Sequence, residues 1–413
     1  MTRKVCPVWL ADRLFFLCAG IYIVALFGRL SYTSVMAELI LTEGLTKSQA
    51  GLIGTALFIV YGVCQLLSGL LGDHIAPKKM ITVGVVGSAI LNLGMAAAGS
   101  YPMMLACWAV NGVFQALIWS PCARVFAEML PPSNRVRACA NAAATYPIAT
   151  VLVYLTASLL LHRTNARALF VLSAVLMLIA AAFFWMRMSF YEHETAMHGE
   201  TEELLPPTEA QGGSLFKLFL VSGAIFALAA AVAQGLLRDG IQSWVPTFMT
   251  ECFHFGASAS VAMAIILPCL NILGVFFTRW LRKRYLRNEL TGAGGFFIFA
   301  IAALGILFFV SDKSALLSLL LLTAASTAMV GANIMIINLL PIHFGTIGRA
   351  SSVTGVLNCL AYVGSAVSSY GIGAVAEHLG WNAAILVWLG FCVIALAGTT
   401  MGARRWGRYR QDI

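Results

Sequence analysis

Apolar residues fall along this chain in long runs separated by short polar breaks. Runs suited to bilayer-crossing helices lie near 14–40, 48–72, 81–99, 103–129, 138–161, 168–187, 217–247, 257–279, 292–310, 314–338, 350–376 and 382–402. A helix needs about 20 apolar residues to cross the hydrocarbon layer, so the pattern predicts an all-α membrane protein of twelve transmembrane helices. The one long polar connection, 188–213, carries Glu192, Glu194, Glu200, Glu202, Glu203 and Glu209 and no Lys or Arg. It reads as a flexible, solvated linker. The expected organisation is therefore a six-helix bundle over 1–190, a cytoplasmic acidic linker over 191–213 and a second six-helix bundle over 214–413. The first apolar run resembles a secretory signal, with Arg3 and Lys4 ahead of it, but no small-x-small cleavage site follows. It is expected to stay as the first span.

Composition sharpens this picture. Of 413 residues, 60% are hydrophobic and 10% charged, where a soluble domain has about 25% charged. Twelve spans leave no room for a soluble catalytic domain. No loop gathers a nucleophile, a base and an orienting group, and no glycine-rich phosphate cradle is present, so enzyme activity is not expected. The ten cysteines lie almost entirely in apolar runs with no CxxC pair, which predicts neither a disulfide framework nor a metal site, and no cofactor.

The net charge of +9 would suggest nucleic acid as the partner of a soluble protein. Sorted by loop, nineteen of the 26 Lys and Arg fall in the N-terminus, the alternate loops and the C-terminus, and four (Lys47, Arg163, Arg167, Lys313) fall in the other loops. That asymmetry favours both termini in the cytoplasm and removes nucleic acid; the membrane expected is a bacterial-type plasma membrane. Features also recur across the linker at a nearly constant offset: Arg29 and Arg238, Gly69 and Gly274, Arg137-Ala138 and Arg349-Ala350, His162 and His378. Four pairs in order suggest a duplicated six-helix unit, two pseudo-symmetric halves around a central cavity.

Two of the three basic residues inside spans carry the candidate chemistry. Arg29 falls midway along span 1 and Arg238 at the matching depth of span 7. A charge at the bilayer centre costs about 2.5–3.5 kcal/mol, so both should face a wet cavity. At 100° per residue Tyr22, Arg29, Tyr32 and Met36 form one stripe, and Gln234, Arg238 and Gln242 form another. Two guanidiniums across a pseudo-twofold make a fork-shaped receptor for phosphate or carboxylate. The competing role is bracing against a carboxylate, but Asp239 is turned about 100° from Arg238 and Glu38 lies on the face opposite Arg29. Glu38 suits either proton coupling or an ion pair near the outer rim. Further polar faces are Tyr61, Gln65 and Ser68 in span 2, Asn111, Gln115 and Trp119 in span 4, and Asn358, Tyr362 and Ser365 in span 11. After span 2, Gly69-Leu-Leu-Gly-Asp73 followed by Pro77, Lys78 and Lys79 lets helices approach closely and sets a carboxylate where it can latch a neighbouring helix.

These strings resemble the organophosphate transporter branch of the major facilitator superfamily, which includes glycerol-3-phosphate and hexose-phosphate transporters. The residues are Gly69 to Lys79, Asn111-Gly-Val-Phe-Gln115 with Trp119, Pro121, Cys122 and Arg124, and Arg238-Asp-Gly-Ile-Gln242-Ser-Trp-Val-Pro-Thr247. The resemblance implies the major facilitator fold, alternating access, and substrate phosphate held by arginines matching Arg29 and Arg238. Where the family's phosphate transporters carry further bases, this chain has Leu30, Gln65 and Tyr146. The cavity is correspondingly less positive, which admits a carboxylate. The expected substrate set is Arg29, Arg238, Tyr22, Tyr32, Gln65, Gln115, Tyr146, Gln234, Gln242, Asn358 and Tyr362, with Gly69, Asp73, Lys78 and Arg124 as the conformational latch. The expected partners are a small anion, a counter-anion or proton, and lipid; the chain is expected to be a monomer. Two other readings stand beside transport of an organic anion: a membrane sensor that binds it without flux, and a proton-coupled exporter of neutral or cationic compounds, against which two cavity arginines argue.

Overall fold

The computed structural model describes residues 2–72, 75–142, 144–203, 214–286, 288–347 and 349–412. It is almost wholly helical. In chain order the helices are α1 (Val8–Thr42), α2 (Lys47–Gly72), α3 (Pro77–Ala97), α4 (Tyr101–Glu128), α5 (Pro132–Ala142), α6 (Thr145–Leu161), α7 (Ala166–His198), α8 (Leu215–Ser222), α9 (Ile225–Phe253), α10 (Ala257–Ala264), α11 (Ile266–Arg284), α12 (Glu289–Val310), α13 (Ala315–Asn333), α14 (Ala350–Leu379) and α15 (Trp381–Asp412). Among the described residues ten helices are long and apolar enough to span a bilayer, or eleven if the bent pair α8–α9 is one span. The shorter apolar helix α6 lies where the fifth span is expected.

Local chemistry explains the boundaries. Pro77 starts α3, where its missing N–H costs nothing. Side chains of Asn165, Asn288 and Ser314 accept from first-turn amides of α7, α12 and α13. Span 7 departs from expectation at its start: Gly223 adopts a left-handed φ of 75° and the chain turns by 96° between α8 and α9. Only glycine takes that φ without steric cost. The helical run after α13 loosens into π geometry at Ile334–Leu339 and 3₁₀ geometry at Leu340–Ile347, around Pro341.

The chain divides into two compact units, Met1–Val35 with Ile59–Pro206, and Met36–Phe58 with Pro207–Ile413. In the first, α3 packs on α4 and α7; in the second, α12 packs on α13 and α15. The division differs from the expected halves in one respect, because the end of α1 and the start of α2 belong to the second unit. Ser48 donates to Glu377 through both its amide (2.8 Å) and its hydroxyl (2.6 Å). Lys47 pairs with Glu251 at 2.9 Å, Thr55 donates to the Ala366 carbonyl at 2.6 Å, and Ser369 to that of Gly51 at 2.9 Å.

The expected linker also begins later than its composition suggests. Residues 188–198 continue α7, and Glu200–Glu203 (β2) pairs antiparallel with Thr2–Val5 (β1). Arg135 holds Glu202 through two hydrogen bonds of 2.9 and 2.6 Å. The acidic run therefore has a backbone partner in the N-terminal strand and a basic side-chain partner, Arg135, at the start of α5. The later part of the linker lies outside the described residues.

Candidate functional site

Arg29 is 7% exposed, within the core of the first unit. Its guanidinium stands 4.4 Å from the centre of the Tyr61 ring, a cation–π arrangement that lowers the cost of burying the charge. The backbone around it is gripped by amides of two other helices. Asn111 and Asn92 donate to the Gly28 carbonyl at 2.8 and 3.0 Å, and Gln115 donates to that of Ala25 at 2.9 Å. Ser31 donates to Asn92, Ser88 to Asn111, and Gln115 to Ser88. Any side chain at Gly28 would strike Met177 and Ser88. The network therefore fixes the depth and rotation of α1 where Arg29 leaves it.

The expected stripe residues divide in this unit. Tyr22 is half-buried and packs on Trp119 at 4.8 Å between ring centres. Tyr32 is wholly buried against Trp108, and Gln115 spends its amide on α1 and α3, so both act inside the helix packing. Gln65 and Tyr146 are half-buried. Sequence reasoning missed Asn92; its signal was the lone amide in the apolar run of span 3.

In the second unit, α9 is buried on nearly every side from Ala233 to Met249. Gly235 and Gly364 set it in backbone contact with α14: a Cβ at Gly235 would overlap Ala361, and one at Gly364 would overlap the Val232 carbonyl. Small residues permit this approach inside membranes. It brings Ser365 to Asp239, to which the hydroxyl donates at 2.6 Å. Arg238 lies alongside the same carboxylate, Nε to Oδ1 at 2.8 Å and Nη2 to Oδ2 at 3.0 Å. The 100° separation expected to keep these neighbours apart does not do so, because the arginine stem is long enough to fold its fork beside the next residue. The pair places a carboxylate that is 5% exposed against a guanidinium side chain that is 23% exposed.

Gln234 is fully buried and accepts from Asn333 at 3.2 Å; Gln242 is 5% exposed. Asn358 and Tyr362 are half-buried on α14, two turns and one turn before Ser365. One residue past Asp239, Gly240 is met by the Ser368 hydroxyl and the Trp388 indole N–H. Both groups are buried without a hydrogen-bond partner among the described residues, so the polar patch continues toward α15. Of the expected latch, Asp73 lies outside the described residues. Lys78 pairs with Glu192 at 2.9 Å and lies over Trp185, while Arg124 pairs with Glu128 at 2.9 Å and donates to the Ile75 carbonyl. Gly69 lies in the last turn of α2.

Comparison with known proteins fits this architecture. Residues 18–369 match the Major Facilitator Superfamily. A probable hexose phosphate transport protein of Chlamydia trachomatis serovar D is 23% identical, covering 91% of this chain and 87% of that protein. The glycerol-3-phosphate transporter of Bacillus subtilis is 22% identical over 86% of this chain and 84% of its own. Among solved structures, a bacterial homolog of the human lysosomal transporter Spinster, in an inward-facing and unoccupied conformation, superposes with a TM-score of 0.80 at 16% identity, covering 97% of this chain and 98% of that one. The chain belongs to the Major Facilitator Superfamily, a family of membrane transporters and not of enzymes.

Proposed function

We propose that this member of the superfamily carries a small phosphorylated organic anion, of the hexose phosphate or glycerol phosphate type, across a bacterial plasma membrane by alternating access. Arg29 and Arg238 bind the anionic group. The carrying observation is one arginine within each of two apolar helices, Arg29 buried on α1 and Arg238 half-buried on α9. The relatives' activities, hexose phosphate transport and glycerol-3-phosphate transport, support the substrate class. Tyr22, Gln65, Tyr146, Gln242, Asn358 and Tyr362 complete the substrate's surroundings, and the chain works as a monomer with both termini in the cytoplasm.

A guanidinium offers phosphate a planar fork that an ammonium does not. Arg29→Lys and Arg238→Lys are each expected to lower uptake of glucose 6-phosphate or glycerol 3-phosphate into proteoliposomes by about 10- to 100-fold, the worth of one charge-assisted hydrogen bond. The measurement is initial rate against substrate concentration at matched protein insertion. Full transport by both lysine variants would refute the assignment, and saturable binding without flux in the parent protein would identify a sensor.

A further inference from the structure

The left-handed turn at Gly223 sends the chain into α9 nearly at right angles to the short helix before it, α8. At 29 residues α9 is about 44 Å long, more than the ~30 Å of the hydrocarbon layer, so it crosses the membrane without α8. The 96° bend then lays α8 along the membrane plane. One side of α8 is spent on the protein, with Phe219 and Ser222 buried. The other side is bare: Phe216, Leu220 and Val221 are 64%, 42% and 63% exposed, with Lys217 exposed among them.

The neighbouring helix α15 shows the level at which α8 lies. A side chain at Gly223 would strike the Cβ of Arg405, and one at Gly402 would strike the Gly223 carbonyl. Asn288, which caps α12, donates to the Ala403 carbonyl at 2.9 Å. At the height of α8, therefore, apolar α12 begins and α15 passes from apolar to basic, which is the height of lipid headgroups. On α15, Met401, Arg404, Arg405 and Arg408 are exposed and fall within about 100° of one another around the helix axis. From Ser214 to Leu237 and from Trp381 to Arg410 the chain has no Asp or Glu. Among the described residues, none of Lys217, Arg404, Arg405 and Arg408 is paired with a carboxylate. Glu289, the acid at the start of α12, is 2% exposed and accepts from the Trp406 indole at 2.9 Å.

We propose that α8 and the basic end of α15 bind an anionic phospholipid of the leaflet on the same side as the C-terminus. Phe216, Leu220 and Val221 enter the acyl layer, and Lys217 reaches the headgroup on its long stem. Arg404, Arg405 and Arg408 meet the phosphate. A zwitterionic headgroup brings a cation of its own to a patch that already carries four, so the patch selects lipids of net negative charge. The bound lipid holds α8, and with it the start of the helix that carries Arg238. Lipid binding here is independent of which anion Arg29 and Arg238 bind.

The test is native mass spectrometry of the purified full chain titrated with dioleoylphosphatidylglycerol or dioleoylphosphatidylcholine, which share their acyl chains. The parent is expected to bind the anionic lipid at least about ten-fold more tightly. Lys217→Gln, Arg404→Gln and Arg405→Gln together should abolish that preference, since each base near an anionic lipid surface is worth about five-fold in affinity. Arg282→Gln, Lys283→Gln and Arg284→Gln together remove the same charge from the exposed end of α11 and should leave the preference in place. No preference in the parent would overturn the proposal, as would equal loss in the two triple variants. Leu220→Ser with Val221→Ser keeps every charge and should weaken both lipids several-fold; unchanged binding would remove α8 from the site. Excess inorganic phosphate should not displace the lipid, and displacement would make the patch a site for free anions instead. Should the first triple variant not fold, Arg404→Gln alone is expected to cost about five-fold in binding of the anionic lipid, and an unchanged affinity would overturn the proposal.

Discussion

Asn111 and Asn92 both donate to the carbonyl of Gly28, one residue before Arg29, so the placement of a long charged side chain is decided by short neutral ones on α4 and α3. Asn111→Leu keeps most of the volume and removes the donor. It also strips Ser88 of its acceptor, leaving a buried hydroxyl to find another. The expected cost is about 1–2 kcal/mol, read as a substrate KM several-fold higher with kcat nearly unchanged. A fall in kcat alone would mean that the clamp does not position Arg29. The arginines themselves are legible in the sequence, because a charge inside an apolar run is expensive enough to need a reason. The Arg238–Asp239 pair is not, since a helical wheel gives the direction in which a side chain leaves and says nothing of how far it reaches. Gln115 shows the same limit from the other side. Its stripe marks α4's polar face, but that face meets α1 and α3, and the amide is spent there.

At the scale of elements, span centres follow from hydropathy and span ends follow from backbone chemistry. The break at Gly223 and the loosening beyond Asn333 both fall inside apolar stretches, where hydropathy is blind to φ and to hydrogen-bond register. The acidic stretch after Met188 misleads for another reason: its glutamates read as solvated until Arg135 and the β1 strand supply partners that lie far away in sequence. The α9–α14 contact is the most consequential packing decision, because it delivers Ser365 to Asp239. Gly364→Val drives two methyl groups into the Val232 carbonyl and is expected to cost roughly 3 kcal/mol or more, seen as loss of monodisperse protein on size-exclusion chromatography. Gly371→Val on the same helix, where an added Cβ meets nothing within 4 Å, should leave that profile intact. Equal behaviour of the two variants would remove close backbone approach as the reason for glycine at 364.

For the whole molecule the question is what charge crosses the membrane in one cycle. A phosphate ester entering as a dianion against an inside-negative potential works against about 2.3 kcal/mol per charge for each 100 mV, or about 4.6 kcal/mol for two charges. One proton accompanying the dianion halves that cost and adds the pH gradient as a driving force. Exchange for a second dianion would instead cancel the charge entirely and make transport indifferent to both gradients. The two schemes separate in proteoliposomes free of internal anion substrate, with the potential clamped by a potassium ionophore. Proton coupling predicts uptake of glucose 6-phosphate that rises when the outside is acidified at zero potential. It also predicts a slowing under an inside-negative potential with the steepness of a single charge. If uptake requires internal phosphate and ignores the pH gradient, the molecule is an obligate exchanger.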